Sequence, residues 1–102
     1  MAKKPKKNDP MRVLEDVVGC KWTMSVVDNL KKGAHRPGAL KQAIPGISAK
    51  VLNERLQKLL RFELIRRKVY PVVPPKVEYS FTTKGRKFLK VLDAITLFKA
   101  DL

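Results

Sequence analysis

The reading turns on one stretch: Pro45-Gly46-Ile47-Ser48-Ala49-Lys50-Val51-Leu52-Asn53-Glu54-Arg55-Leu56-Gln57-Lys58-Leu59-Leu60-Arg61. Pro45-Gly46 is a turn signal. Ser48 follows as a helix N-cap, because its hydroxyl can accept from the first free backbone N–H groups. Ala49, Leu52, Leu56, Leu59 and Leu60 then fall at helical spacing on one apolar face. The opposite face carries Lys50, Glu54, Gln57 and Arg61, with Asn53 and Lys58 on its flanks. Cations hold phosphates, and amide side chains hydrogen-bond base edges in a major groove. Alone, such a face reads first as that of an ordinary solvated helix. Its surroundings decide between the two.

Upstream, Gly38 to Ile44 reads as a short helix with Leu40, Ala43 and Ile44 apolar. Two helices joined by a tight glycine turn make a helix-turn-helix pattern. Downstream the period changes from helical to alternating. Leu64–Tyr70 and Lys76–Thr82 read as strands, with Val77, Tyr79 and Phe81 alternating against Glu78 and Ser80. Between them, Pro71-Val72-Val73-Pro74-Pro75 stops the ladder and stiffens the tip. A hairpin placed after a recognition helix, with Lys76 beside its tip, is a wing.

The flanks are helical. Met11–Val18 is amphipathic, with Met11, Leu14, Val17 and Val18 on one side, and Gly19 ends it. Lys21–Leu30 turns Trp22, Val26, Val27 and Leu30 inward. Thr82 or Thr83 caps a last helix, about Lys84–Lys99. Its Phe88, Leu89, Val91, Leu92, Ile95, Leu97 and Phe98 cover more circumference than one small domain buries, so a partner contact is expected. The fold class is mostly α with a small β-hairpin: a winged helix-turn-helix. Residues 11–102 form that domain, and residues 1–10 are a disordered basic tail. The tail either lies along phosphates or simply solubilises the chain.

Charge points to the partner. The 102 residues hold 23 Lys plus Arg against 9 Asp plus Glu, a formal +14. Setting aside the tail's four lysines and Asp9 leaves 19 against 8, still +11. Residues 31–68 hold eleven of these cations and only Glu54 and Glu63 as acids. Nucleic acid is the first partner this suggests, and an anionic membrane the second. No apolar run approaches spanning length, and the basic N-terminus lacks an apolar h-region. A single cysteine, Cys20, excludes an intrachain disulfide and suits a reducing interior, so a cytoplasmic location is expected.

These blocks resemble the HxlR-type winged helix-turn-helix regulators, relatives of the MarR-like group. The resemblance is carried by Val17-Val18-Gly19-Cys20-Lys21-Trp22-Thr23, by Pro45–Leu52, and by Tyr70-Pro71-Val72-Val73-Pro74-Pro75-Lys76-Val77-Glu78-Tyr79. Thr82-Thr83-Lys84-Gly85 is similar to the family's lead into its last helix. The resemblance spans nearly everything from Met11 to Phe98. It implies a homodimeric transcription regulator on double-stranded DNA, with first and last helices at the interface. Two recognition helices would enter successive major grooves. A small-molecule or redox effector of unspecified identity fits the same picture. Redox-sensing members carry a cysteine directly before a proline ahead of the first helix. The equivalent here is Asp9-Pro10, with no thiol.

For base contacts the candidates are Lys50, Asn53, Glu54 and Gln57. For phosphates they are Ser48, Lys58, Arg61 and Lys76, with Arg36 near the start of the motif. Arg55 lies at the apolar boundary, where a structural ion pair is as good a reading. Interface candidates are Met11, Leu14, Phe88, Leu92, Ile95 and Phe98. Cys20, beside Lys21 at the start of the second helix, is either a thiolate switch or a small packed residue with a raised pKa. The packed reading is the expectation.

Other classes fit less. A basic RNA-binding or ribosome-associated protein explains the charge but not the turn-helix-wing order. It would also expose aromatic platforms. Here Trp22, Phe62, Tyr79, Phe81, Phe88 and Phe98 have core positions, leaving Tyr70. A protein–protein module would need no DNA. One histidine, His35 in the Lys31–Gly38 turn, reads as a bystander. No phosphate loop or metal-ligand spacing is present, so neither an enzyme nor a cofactor or metal is expected.

Overall fold

A computed structural model describes residues 9–102. The basic tail expected over residues 1–10 falls outside this range, apart from its last two residues. Five helices and one hairpin follow in order: α1 (Pro10–Val18), α2 (Lys21–Lys31), α3 (Pro37–Ala43), α4 (Ala49–Arg61), β1 (Ile65–Tyr70), β2 (Lys76–Phe81) and α5 (Thr83–Ala100). The chain is a mostly helical winged helix-turn-helix, as its patterning predicts.

Local chemistry sets the helix ends. Asp9 caps α1 by accepting from the Met11 N–H at 3.0 Å, and Pro10 takes the first helical position. There its missing N–H costs nothing. The same device starts α3 at Pro37, one residue before Gly38, and Ile44 is already extended. Ser48 caps α4 by accepting from Val51 N–H at 3.1 Å. Gly46 adopts φ +81° in the turn before it, a conformation that glycine reaches without steric cost. Of the two threonines, Thr82 caps α5, its Oγ1 accepting from Gly85 N–H at 2.9 Å.

The core gathers Val17, Val26, Val27, Leu30, Leu40 and Leu56 around Leu59. Leu52, Leu56 and Leu59 are the buried face of α4. Ala49, in the first turn of α4, is exposed rather than inward. Trp22 is only half-buried, at the edge of this core.

The hairpin is antiparallel, with Ile65 opposite Phe81 and Tyr70 opposite Lys76. It is shorter than read from sequence by Leu64 and Thr82. One bond, Thr82 N–H to Leu64 O at 3.0 Å, closes the ladder before both turn away. Thr82 Oγ1 also donates to Glu63 O at 2.7 Å, at the corner where Glu63 takes φ +60°. Only Ile65 of β1 is buried. The wing therefore projects from the core rather than covering it.

Helix α5 packs Phe88, Leu89 and Leu92 on the core and leaves its end exposed. Of its 18 residues, Gly85 and Leu92 are buried. Leu97 is 72% exposed and Phe98 64% exposed, so Phe98 does not hold the core position that its type suggests.

Candidate nucleic-acid interface

Lys50, Asn53, Glu54, Gln57 and Arg61 are all exposed on α4. Their spacing of three and four residues lines them along one stripe. Ser48 is exposed at the start of the same helix, its hydroxyl already accepting from Val51 N–H. Lys58 is half-buried on the flank. Arg36 is exposed and caps α3 with no side-chain hydrogen bond to the helix. A shallow groove of about 200 Å³ is lined by Pro37 and Lys41 from α3, Asn53 and Leu56 from α4, and Tyr79 from β2. Of the base-contact candidates only Asn53 lines it, and the hairpin's part in it is the buried Tyr79.

The wing is more cationic than its candidate Lys76 suggests. Lys76 is partly engaged, with Nζ 3.5 Å from Glu78 Oε1 and 5.0 Å from the Tyr70 ring centroid. Lys68 approaches the same ring at 4.9 Å. The Tyr70 ring is held by two ammonium groups, which removes it as the free stacking platform that an RNA-binding reading needs. Sequence reasoning missed Arg66, Arg67 and Lys68, all exposed along β1. The signal was available: three adjacent cations in a strand cannot all face a core, because strand side chains alternate between faces. Arg66 Nε reaches Ser80 Oγ across the ladder at 3.4 Å, and no acid pairs with Arg66 or Arg67 among the described residues.

His35 makes a structural contact with the wing. Its carbonyl accepts from Tyr79 N–H at 2.8 Å, and its Nδ1 lies 3.1 Å from Tyr79 O. A carbonyl only accepts, so in this contact Nδ1 donates its N–H. The turn before α3 is thereby tied to the wing strand.

The expected partner face divides. Met11 is 61% exposed, while Leu14, Phe88 and Ile95 are half-buried. Leu92, taken from sequence as an interface residue, is 5% exposed and packs in the protomer's own core, with no surface to offer a partner. Met11, Leu14, Phe88 and Val91 instead line an apolar groove of about 370 Å³ between α1 and α5, with Lys84 and Lys87 also in its lining.

Cys20 departs from the packed expectation. It is half-exposed at the N-cap of α2. Burial pushes its thiol up, but Thr23, the Arg55 charge and the Trp22 backbone outweigh this and hold it below the ordinary range. Arg55 has no acidic partner among the described residues, so the ion-pair reading does not hold for it.

The chain matches the HxlR-like helix-turn-helix family over residues 17–101. It belongs to that family. An uncharacterised HTH-type transcriptional regulator of Synechocystis is 41% identical over 92 residues, covering 90% of this chain and 68% of that protein. YtcD of Bacillus subtilis, of the same description, is 35% identical over 98 residues, covering 96% and 78%. Among solved structures, a MarR-family regulator from Enterococcus faecalis superposes with TM-score 0.81 at 28% identity, covering 98% of this chain and 91% of that one. Reduced YodB of B. subtilis gives 0.77 at 31%, covering 95% and 91%. This HxlR-family chain is a helix-turn-helix transcriptional regulator with a winged-helix fold, and no helix among its described residues is long and apolar enough to cross a membrane.

Proposed function

We propose that the protein is a sequence-specific, cytoplasmic DNA-binding regulator that works as a homodimer, with α4 in the major groove and the hairpin on the adjacent backbone or minor groove. The observation that carries this reading is the exposed polar face of α4 followed in the chain by the exposed cations of β1. Amide and charged side chains suited to base edges line α4, and cations suited to phosphates line β1. Lys50, Asn53, Glu54 and Gln57 read bases. Arg36, Ser48, Lys58, Arg61 and Lys76 hold phosphates, joined by Arg66 and Arg67.

The dimer rests on surplus apolar surface. Leu97, Phe98 and Met11 are exposed within one protomer, and burial of such surface contributes about 25 cal/mol per Å². Pairing two copies sets two recognition helices for half-sites one turn apart, about 34 Å.

Selection of genomic duplex fragments on the purified chain tests the reading. A shared, two-fold symmetric sequence is expected among the bound fragments. Absence of enrichment at low salt, or preference for single-stranded RNA, would overturn it.

A further inference from the structure

The wing ends in a surface that neither the core nor the α4 face accounts for. A loop that only has to turn the chain between two strands favours Gly, Asn or Asp. Pro71-Val72-Val73-Pro74-Pro75 contains none of these, and no charged or hydrogen-bonding side chain. All five residues are exposed, Val73 fully and Val72 by 51%. Single exposed apolar residues are ordinary. Here two adjoin at the end of a hairpin, flanked by three prolines.

The tip is braced. Each proline fixes its own φ. The Val72 N–H donates to Tyr70 O at 2.8 Å. At the base of the tip, the Tyr70 ring meets Lys68 Nζ at 4.9 Å and Lys76 Nζ at 5.0 Å. Strand pairing puts Arg66, Lys68 and Tyr70 on one face, opposite Ser80, Glu78 and Lys76. Lys76 pairs with Glu78, and no acid pairs with Arg66 or Lys68 among the described residues. An apolar end on a cationic arm suits a partner with anionic rims and stacked apolar rings between them. The minor groove of a duplex is built that way, with phosphates on both rims and base steps at its floor.

We propose that Val72 and Val73 form an apolar wedge that enters the minor groove beside the α4 site, opens one base step and bends the duplex toward the major groove. The proposal rests on the reading of α4 as the DNA-reading helix. Width dictates the opening. Paired strand backbones lie about 4.8 Å apart before side chains are added, and an undeformed minor groove is about 6 Å wide. The tip therefore fits only a widened groove. Its valines cover base faces that the opened step exposes, while Arg66 and Lys68 face the phosphates of the rim. Opening is easiest at pyrimidine–purine steps, TA or CA/TG. The wing thereby selects sequence at a step with which its tip makes no hydrogen bond.

The test uses the full chain and the duplex most enriched by genomic selection, labelled at its ends with a dye pair that reports bending by energy transfer. The same duplex is also made with TA, CA or AA at each step flanking the α4 site. The wild-type chain should bend the duplex by about 20° or more. It should prefer TA or CA over AA at one flanking step by about fivefold or more. Val72→Ser combined with Val73→Ser changes only exposed side chains, and circular dichroism checks that it folds. This variant should lose both the bend and the step preference. Its salt slope should match wild type, because no cation is removed. A bound duplex that stays straight, a bend that survives the double substitution, or a salt slope that falls with it would overturn the wedge and leave the DNA reading standing. A chain that binds no duplex would overturn both.

Discussion

His35 and Tyr79 exchange two contacts across 44 residues: the Tyr79 N–H donates to the His35 carbonyl at 2.8 Å, and His35 Nδ1 meets the Tyr79 carbonyl at 3.1 Å. Tyr79 is buried and also lines the groove that Asn53 shares. The pair therefore ties the wing strand to the turn before α3, at the edge of that groove. His35→Ala keeps the backbone contact and removes the ring. It should cost about 1 kcal/mol in urea unfolding. It should also weaken duplex binding by loosening the wing. Unchanged stability and unchanged binding would show that the ring adds nothing.

Two glycines should respond in opposite ways to alanine. A Cβ at Gly85 would stand 1.9 Å from the Leu64 carbonyl oxygen, a backbone atom that cannot step aside. Gly85→Ala must shift the start of α5 off the β1 corner and should destabilise by more than about 2 kcal/mol. A Cβ at Gly38 meets nothing within 4 Å, and the residue lies inside α3. Gly38→Ala should stabilise by about 0.5–1 kcal/mol, because glycine loses more backbone freedom on folding. Thermal unfolding of the two variants checks both signs.

Charged residues at Leu97 and Phe98 should give folded monomers, because both are exposed within the protomer. Leu92→Asp should instead unfold the chain, since that side chain is 5% exposed among core residues. Sedimentation, read beside circular dichroism, separates the two outcomes. A dimer that survived with both positions charged would place the interface elsewhere.

Lys76→Ala should weaken binding to any duplex about equally and reduce the salt slope by about one unit, as loss of one phosphate contact does. Its ion pair with Glu78 is partly exposed and contributes little by itself. Arg67→Ala should act in the same way, having no acidic partner among the described residues to release. A sequence-dependent loss at either position would make it a base contact instead.

The recognition helix was legible because each of its signals is local. Pro45-Gly46 fixes the turn, Ser48 supplies the cap, and Leu52, Leu56 and Leu59 repeat at helical spacing. The start of α5 was legible to within Thr82 or Thr83, and the wing's Pro-rich tip was legible for the same reason. What sequence could not give were facts about distant neighbours. His35 looks idle until the fold brings Tyr79 beside it. Leu92 and Phe98 have similar places in an apolar pattern, yet one meets the core and the other projects beyond it. The apolar surplus of α5 was visible, but which residues formed it was not. For Cys20, neither exposure nor the approach of Arg55 from α4 could be read from its flanking residues.

Base readout by the exposed face of α4 is the central claim, and Gln57→Ala tests it most directly, with Asn53→Ala as its companion. Affinity would be measured at fixed salt for the selected operator and for a random duplex of equal length. Each variant should lose about 1–3 kcal/mol on the operator and much less on the random duplex. Equal losses on both duplexes, or an operator preference left intact, would contradict the account.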